Sequence, residues 1–335
     1  MSAILKGIIV LILMSEKRLP GKFKRSMFQK LMIIVVSAFS VIASSGQTTS
    51  NKAAIKKKGE LYRIKVQNQI LEIDPSIGGR ITSLQLDGKE FLTGKSVNDF
   101  NWGSTFWISP QSNWDWPPSA ELDNKLYSAK IEANELIMVS QKDSQTGLVV
   151  TKKISGNSKG GSYTFKYLIT NPTNKVQKVA PWEVTRVQTN GIAFFPLGNG
   201  ERRGGLIPLT SVQDGICWFT YQKSKLPVKG DRQLYTDGAE GWLAEVNENV
   251  ILVKKFPDIP LEKNAPKEGE IELFASPVEP GKSYVEIEHQ GAYEELQPEA
   301  SLIWIVTWYL RKLPAGIKPE AGNTSLLSYV RKLVK

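Results

Sequence analysis

The pattern that most constrains this chain is a period of two. Residues 61–66 (LYRIKV), 69–74 (QILEID) and 80–86 (RITSLQL) alternate apolar and polar side chains in short runs. Successive side chains on an extended strand point to opposite faces, so such runs mark strands with one face in a core. The pattern returns in LIMVSQ, LVVTKKI, SYTFKYLIT, GIAFFPL, ICWFTY, GWLAEV, VILVKKF, IELFAS, YVEIEH and SLIWIVTWYL. Gly, Pro, Asn and Asp punctuate the runs, and Asp87-Gly88 after the third is a tight-turn signal. Many short strands with regular turns predict an all-β sandwich or barrel, not βαβ units. No composition break divides residues 59–313, so one large antiparallel domain is expected there. A short helix is expected over residues 324–335 of the 314–335 tail. Asn323 or Thr324 would cap it, and Leu326, Leu327, Val330 and Val334 form one apolar stripe.

The N-terminus has a different logic. Residues 27–47 read MFQKLMIIVVSAFSVIASSGQ: a basic start, an apolar run over 31–43, then small residues. Those are the parts of a secretory signal, with cleavage expected between Ala43 and Gly46. The apolar run is shorter than the ~20 residues of a comfortable membrane span. No cysteine follows it to carry a lipid anchor. Export across the inner membrane to the periplasm or envelope is expected, with residues 1–46 as targeting segment and 47–58 as linker. A second apolar run over 3–14 precedes a basic stretch over 17–25. Either Met27 is the true start or the signal is unusually long, and the first is favoured.

This segment also explains the charge. Before residue 47 there are seven Lys/Arg and one acid, which takes six from the formal +10 and leaves +4. Lys52, Lys56, Lys57 and Lys58 lie in the linker. A nucleic-acid binder clusters its basic residues within the folded domain, so no nucleic-acid partner is expected. Cys217 is the only cysteine and His289 the only histidine. An intramolecular disulfide, a cysteine-based zinc site and any chemistry needing two histidines in one chain are excluded. No metal or cofactor is expected.

Three segments carry candidate chemistry. Residues 102–118, WGSTFWISPQSNWDWPP, hold four of the nine tryptophans, Trp102, Trp107, Trp114 and Trp116, mixed with Gln111, Asn113 and Asp115. Flat aromatic faces accept the C–H faces of a ligand while amides and carboxylates fix its hydroxyls. Packing of a long loop by its own tryptophans is the plainer alternative. In PWEVTRV, residues 181–187, alternation sets Glu183 and Thr185 on one face and Trp182, Val184 and Arg186 on the other. Glu183 and Arg186 would be a surface ion pair worth little, or an acid and a donor fork at a site. In VEIEHQ, residues 285–290, Glu286, Glu288 and Gln290 share one face and Ile287 and His289 the other. Carboxylates so placed are either a solvated face or a convergent site containing a general base. The glycines of GNGERRGG, residues 198–205, do not fit a nucleotide loop.

Taken with these segments, IDPSIGGRITSLQLDGKEFL, then TNPTNK, then IEHQ and ELQPEASLIWIVTWYL resemble, in order and spacing, the galactose-mutarotase-like (aldose 1-epimerase) superfamily. The resemblance covers residues 61–313. It is greatest to a signal-peptide-bearing branch that is a domain of unknown function. It implies a β super-sandwich with a sugar site, Glu288 as the base that takes the anomeric proton, and Arg80 as a residue that binds sugar hydroxyls. The family's catalytic histidine has no counterpart, because no histidine lies between residues 58 and 288. Where that histidine strand is expected stand Glu183 and Arg186, and a protonated Glu183 could replace it.

Three functional readings follow. One is an aldose-epimerase-like isomerase acting through Glu288 and Glu183 on a mono- or oligosaccharide held by Arg80, Trp107, Gln111, Trp114, Asp115, Trp116, Arg186, His289 and Gln290. The second is a periplasmic carbohydrate-binding module without turnover. The third is a structural envelope protein whose tryptophans only pack.

Overall fold

A computed structural model describes residues 51–227 and 229–335. The expected signal segment and the start of the linker lie outside the described residues.

Two antiparallel sheets face each other. The first runs in the order Ile55–Lys58, Leu61–Val66, Gln69–Asp74, Arg80–Leu86, Ser104–Ser109, Gln177–Val187, Val285–Gln290, Ile271–Ala275 and Gln233–Thr236. The second runs Thr210–Gln213, Ile216–Thr220, Ile192–Pro196, Trp242–Asn247, Val250–Lys255, Ser301–Lys312, Ser162–Thr170, Val149–Asn157, Glu135–Val139 and Ser128–Glu132. The all-β, antiparallel expectation holds.

The alternation converts directly into burial. In Leu61–Val66, Tyr62, Ile64 and Val66 are buried while Leu61, Arg63 and Lys65 are not. In Ser301–Lys312, Trp304, Val306, Trp308 and Leu310 point inward. The Asp87-Gly88 turn has both residues at positive φ, 52° and 78°, the backbone that closes a two-residue hairpin between Leu86 and Lys89.

Two features depart from the sequence pattern. The end of the expected linker, Ile55–Lys58, is an edge strand paired with Leu61–Val66. An edge needs only backbone hydrogen bonds, and its three lysines discourage pairing with a further chain. The second departure is central. Ser104–Ser109 and Val285–Gln290 are buried at every position, and so is Gln177–Val187 after its first two residues. Their inner face meets the second sheet and their outer face lies beneath loops, so polar residues on the outer face occupy a covered site.

The terminal helix, Thr324–Val334, forms as expected. The Asn323 carboxamide oxygen caps it by accepting from the Leu326 N–H at 2.9 Å. Leu326, Leu327, Val330 and Val334 pack with Phe194, Trp218, Trp242 and Val253, so the helix shields one part of the second sheet's outer face. Each of these side chains contributes roughly 1.5–3 kcal/mol by leaving water. Among the described residues, no helix is long and apolar enough to cross a membrane.

Candidate functional site

Strand register decides which side chains meet, because directly opposed residues of an antiparallel pair share a face. Three rows cross the first sheet on the face turned away from the second. Arg186 opposes Glu286, which opposes Phe274, which opposes Gln233. Beside them, Thr105, Val184, Glu288, Glu272 and Tyr235 form the next row. Trp107, Trp182 and Gln290 form the third.

Glu183 and His289 oppose each other on the inner face. The Glu183 carboxylate accepts from Lys254 Nζ at 2.9 Å, Trp308 Nε1 at 2.9 Å and Tyr167 Oη at 2.6 Å, all from the second sheet. The expected Glu288–Glu183 pair is therefore corrected: the side-chain period of two sends residues 183 and 184 to opposite faces, and Glu288 opposes Val184. Glu183 is a fully buried member of an ion pair between the sheets. His289 lies 3.6 Å from it, between Phe256 and Trp304. Burial, then the Lys254 charge, hold the imidazole well below its ordinary range, so it is neutral and away from the outer face. Its assignment as a ligand contact is likewise corrected. The Glu183–Arg186 ion pair does not form either.

On the outer face, Glu288 is the centre of a polar cluster. Its carboxylate accepts from Trp182 Nε1 at 2.9 Å and from the Gln233 amide at 3.2 Å. The same Gln233 nitrogen donates to Glu272 at 3.0 Å, so one amide bridges two carboxyl groups. Glu272 also accepts from Gln290 Nε2 at 2.8 Å and from the Gly269 N–H at 2.9 Å. Both acids are only 1% exposed. Burial first, and neighbouring carboxylates next, push both well above the usual carboxylate range. Arg186 is fully buried beside them. It donates to Glu286 at 2.7 Å, Thr105 Oγ1 at 2.6 Å and Asn101 Oδ1 at 3.3 Å, with its guanidinium 5.0 Å above the Trp107 ring.

The aromatic segment splits. Trp107 belongs to the strand Ser104–Ser109, whereas Trp114 and Trp116 belong to the loop that follows. Their rings still converge: Trp107 lies 5.2 Å from Trp182, 6.0 Å from Trp114 and 5.9 Å from Trp116. Trp107 and Trp114 are buried and Trp116 is 49% exposed, so Trp116 offers the largest free aromatic surface. The Gln111 N–H donates to Glu268 at 2.9 Å and ties this loop to the turn before Ile271–Ala275. Asp115 is exposed at φ 59° and accepts from the Trp116 N–H at 2.9 Å, which fixes the loop's bend. Arg80 is 5% exposed and committed to Asp123 at 3.2 Å and the Phe100 carbonyl at 2.8 Å, beside the Trp102 ring. Asp123 also accepts from Trp107 Nε1 at 2.7 Å, so Arg80 acts on the platform through Asp123. Burial lowers its guanidinium to about 10.

Glu272, Gln233, Glu286, Trp182 and Tyr235 complete the face but are not among the residues expected from the sequence. IELFAS alternates Glu272 and Phe274 against Ile271 and Leu273, the local signal for Glu272, while Glu286 and Trp182 show only through the alternation of VEIEHQ and PWEVTRV. Among the described residues, no group of three His, Cys, Asp or Glu side chains is arranged to hold a metal ion.

The two sheets with this covered outer face define the galactose-mutarotase-like fold. The chain is similar to a putative aldose 1-epimerase from Klebsiella pneumoniae, with 12% identity, TM-score 0.54, and coverage of 84% of this chain and 86% of that one. It is also similar to a galactose mutarotase-like protein from Clostridium acetobutylicum, with 11% identity, TM-score 0.51, and coverage of 79% and 100%. A TPR-domain containing protein from Parabacteroides distasonis shares 14% identity at TM-score 0.54 over 78% of this chain, which spans about half (49%) of that one. No curated protein matches in sequence. The chain belongs to the DUF4380 family, a domain of unknown function, which matches residues 61–311.

Proposed function

We propose that this protein recognises a mono- or oligosaccharide on the outer face of its first sheet. We further propose that Glu288 works there with Glu272, not with Glu183. The observation that carries this reading is the facing of two buried carboxyl groups, joined by one Gln233 amide, beside the Trp107–Trp114–Trp116–Trp182 cluster. Rings accept the C–H faces of a pyranose, and the carboxyl and amide groups match its hydroxyls.

The pair also has the composition an epimerase-like step needs. A carboxyl pair holding one proton contains a base and an acid together. Ionised Glu288 would take the proton of the anomeric hydroxyl while Glu272 gives its proton to the ring oxygen. The bond between the anomeric carbon and the ring oxygen breaks, rotation exposes the other carbonyl face, and reclosure returns both protons. The second reading, binding without turnover, is favoured by the depth of both carboxyls and by the neutral, inward His289.

Polarimetry on fresh α-D-glucose and α-D-galactose separates the two readings. Turnover predicts a rate above buffer that falls at least a hundredfold in Glu288→Gln and Glu272→Gln, of the order that general acid–base catalysis contributes. Wild-type and variant rates equal to buffer leave binding alone. A sugar array on which the protein retains nothing would refute recognition itself.

Export is part of the same proposal, supported by the tripartite composition of residues 27–47. Expression of the full chain in a bacterial host should yield periplasmic protein whose first residue falls near residues 44–47. An intact N-terminus in the cytoplasmic fraction would overturn it.

A further inference from the structure

The outer face has a surplus of hydrogen-bond acceptors. Gln233 spends its amide nitrogen on Glu272 and Glu288, and Trp182 spends its indole N–H on Glu288. Arg186 is engaged with Glu286, Thr105 and Asn101. Arg203 gives Nη2 to the backbone carbonyls of Lys267 and Glu268 and stacks 4.9 Å over Tyr235, and Arg80 is committed to Asp123. Each carboxylate oxygen accepts about two hydrogen bonds, so Glu272 and Glu288 keep unused capacity.

An independent observation points the same way. The Gln290 side-chain oxygen is buried in a residue 1% exposed, beside Trp182 and the carboxyl pair, and has no partner. On the same face, two residues along from Trp107, the Ser109 hydroxyl is also buried and unpartnered. An orphaned buried acceptor costs about 1–3 kcal/mol and persists where something else satisfies it. What is missing at Gln290, Glu272 and Glu288 is a compact group with several donors and positive charge.

We propose that the ligand is an amino sugar, with its ring on the tryptophan platform and its ammonium among Glu272, Glu288 and Gln290. This rests on the carbohydrate reading above and names the substrate class for that site. An ammonium has three donors and no acceptor, and the hydrogen bonds it donates to carboxylates are stronger than those a neutral hydroxyl donates. A free hydroxyl would satisfy the same oxygens less well. Hexuronates and hexose phosphates would bring negative charge to a face that already carries Glu268, Glu286 and the Glu272–Glu288 pair.

Titration calorimetry on the full-length mature protein at pH 6.5 and low salt tests this. The probes are D-glucosamine, D-galactosamine and D-mannosamine, each against its parent hexose and its N-acetyl form, with glucuronate, glucose 6-phosphate and methylammonium chloride. At least one hexosamine should bind about tenfold or more tighter than its parent, a difference of ~1.4 kcal/mol. In Glu272→Gln that preference should collapse toward unity. Gln290→Leu provides a second variant, and the wild-type comparison decides if either fails to fold. Parent, N-acetyl, uronate or phosphate forms binding as tightly as the amine would overturn the amino-sugar assignment and leave a carbohydrate site standing. Methylammonium alone matching the hexosamines would overturn it as well, because the ring would not be read. If no sugar binds, both this inference and the carbohydrate reading fall. A folded Glu272→Gln that keeps the full preference would show that the ammonium does not sit there.

Discussion

Glu183 and Lys254 provide the sharpest test of how the central strands divide their two faces. The Lys254 ammonium lies 2.9 Å from the Glu183 carboxylate, both side chains are wholly buried, and Lys254 also donates to Thr185. Replacing Lys254 by Met removes the cation and leaves a buried carboxylate held by Trp308 and Tyr167 alone. Breaking a buried pair from one side costs about 3–5 kcal/mol. For a domain of roughly 285 residues, the unfolding entropy of about 2.1 cal/mol/K per residue amounts to ~0.6 kcal/mol/K, so the melting temperature should fall by about 5–8 °C. Glu183→Gln should cost less, because burial already lowers the Lys254 pKa and lets it shed its proton. The double variant Glu183→Gln/Lys254→Met should lose less than the sum of the singles, since they share one interaction. Scanning calorimetry measures all three, and sugar binding is measured well below each transition. If Glu183→Gln melts like wild type yet loses ligand binding, the carboxylate belongs to the site and the inner-face assignment fails.

Four further outcomes are expected. Burial, then the charges of Asp258 and Asp237, push the Glu270 carboxyl up to about 8. A folded-state value above the ordinary one gives stability that is complete below the unfolded value and is lost as pH rises through the folded one. The melting temperature should therefore fall from pH 5 to pH 8. Glu270→Gln should show a shallower slope from a lower plateau, because Glu270 accepts from the Ile259 and Gly238 N–H groups; an unchanged slope would refute this. Trp107→Ala should cost about 3–5 kcal/mol in urea unfolding. Trp116→Ala should stay within about 1 kcal/mol of wild type while weakening sugar binding. Leu326→Ala should cost about 2–5 kcal/mol at the helix interface and leave sugar binding intact, as the helix packs on the other sheet.

Most of the fold was legible because strand alternation is local. Tyr62, Ile64 and Val66 announce an inner face by their spacing alone, and Asn323 announces a helix start. The division of Trp182, Val184 and Arg186 from Glu183 and Thr185 was legible for the same reason. Glu288's partner was not, because register between strands distant in sequence is set by the whole topology. Glu272 reaches Glu288 only because Ile271–Ala275 lies beside Val285–Gln290, and Gln233 joins them only because Gln233–Thr236 closes that edge. Within a single strand, alternation reveals two faces but not which one meets the second sheet. Glu183, Lys254 and Thr185 make a polar inner face, contrary to the usual expectation that the polar face is the solvent or ligand side.

That inversion sets two different groups of charged side chains on the faces of the same strands. The central strands carry charged groups on both sides, and the two sets do opposite things. Inside, Glu183 faces a lysine and two further donors, Trp308 and Tyr167, so its charge is compensated and held in place. Outside, Glu288 faces another carboxyl group across the register, and no cation lies between them. Two acids held this way cannot both ionise cheaply. On the proposed epimerase-like reading, an acid and a base would arise from two copies of one residue type, without an imidazole. The same absence of a cation leaves the outer pair short of donors, and Gln290's orphaned oxygen deepens that shortage.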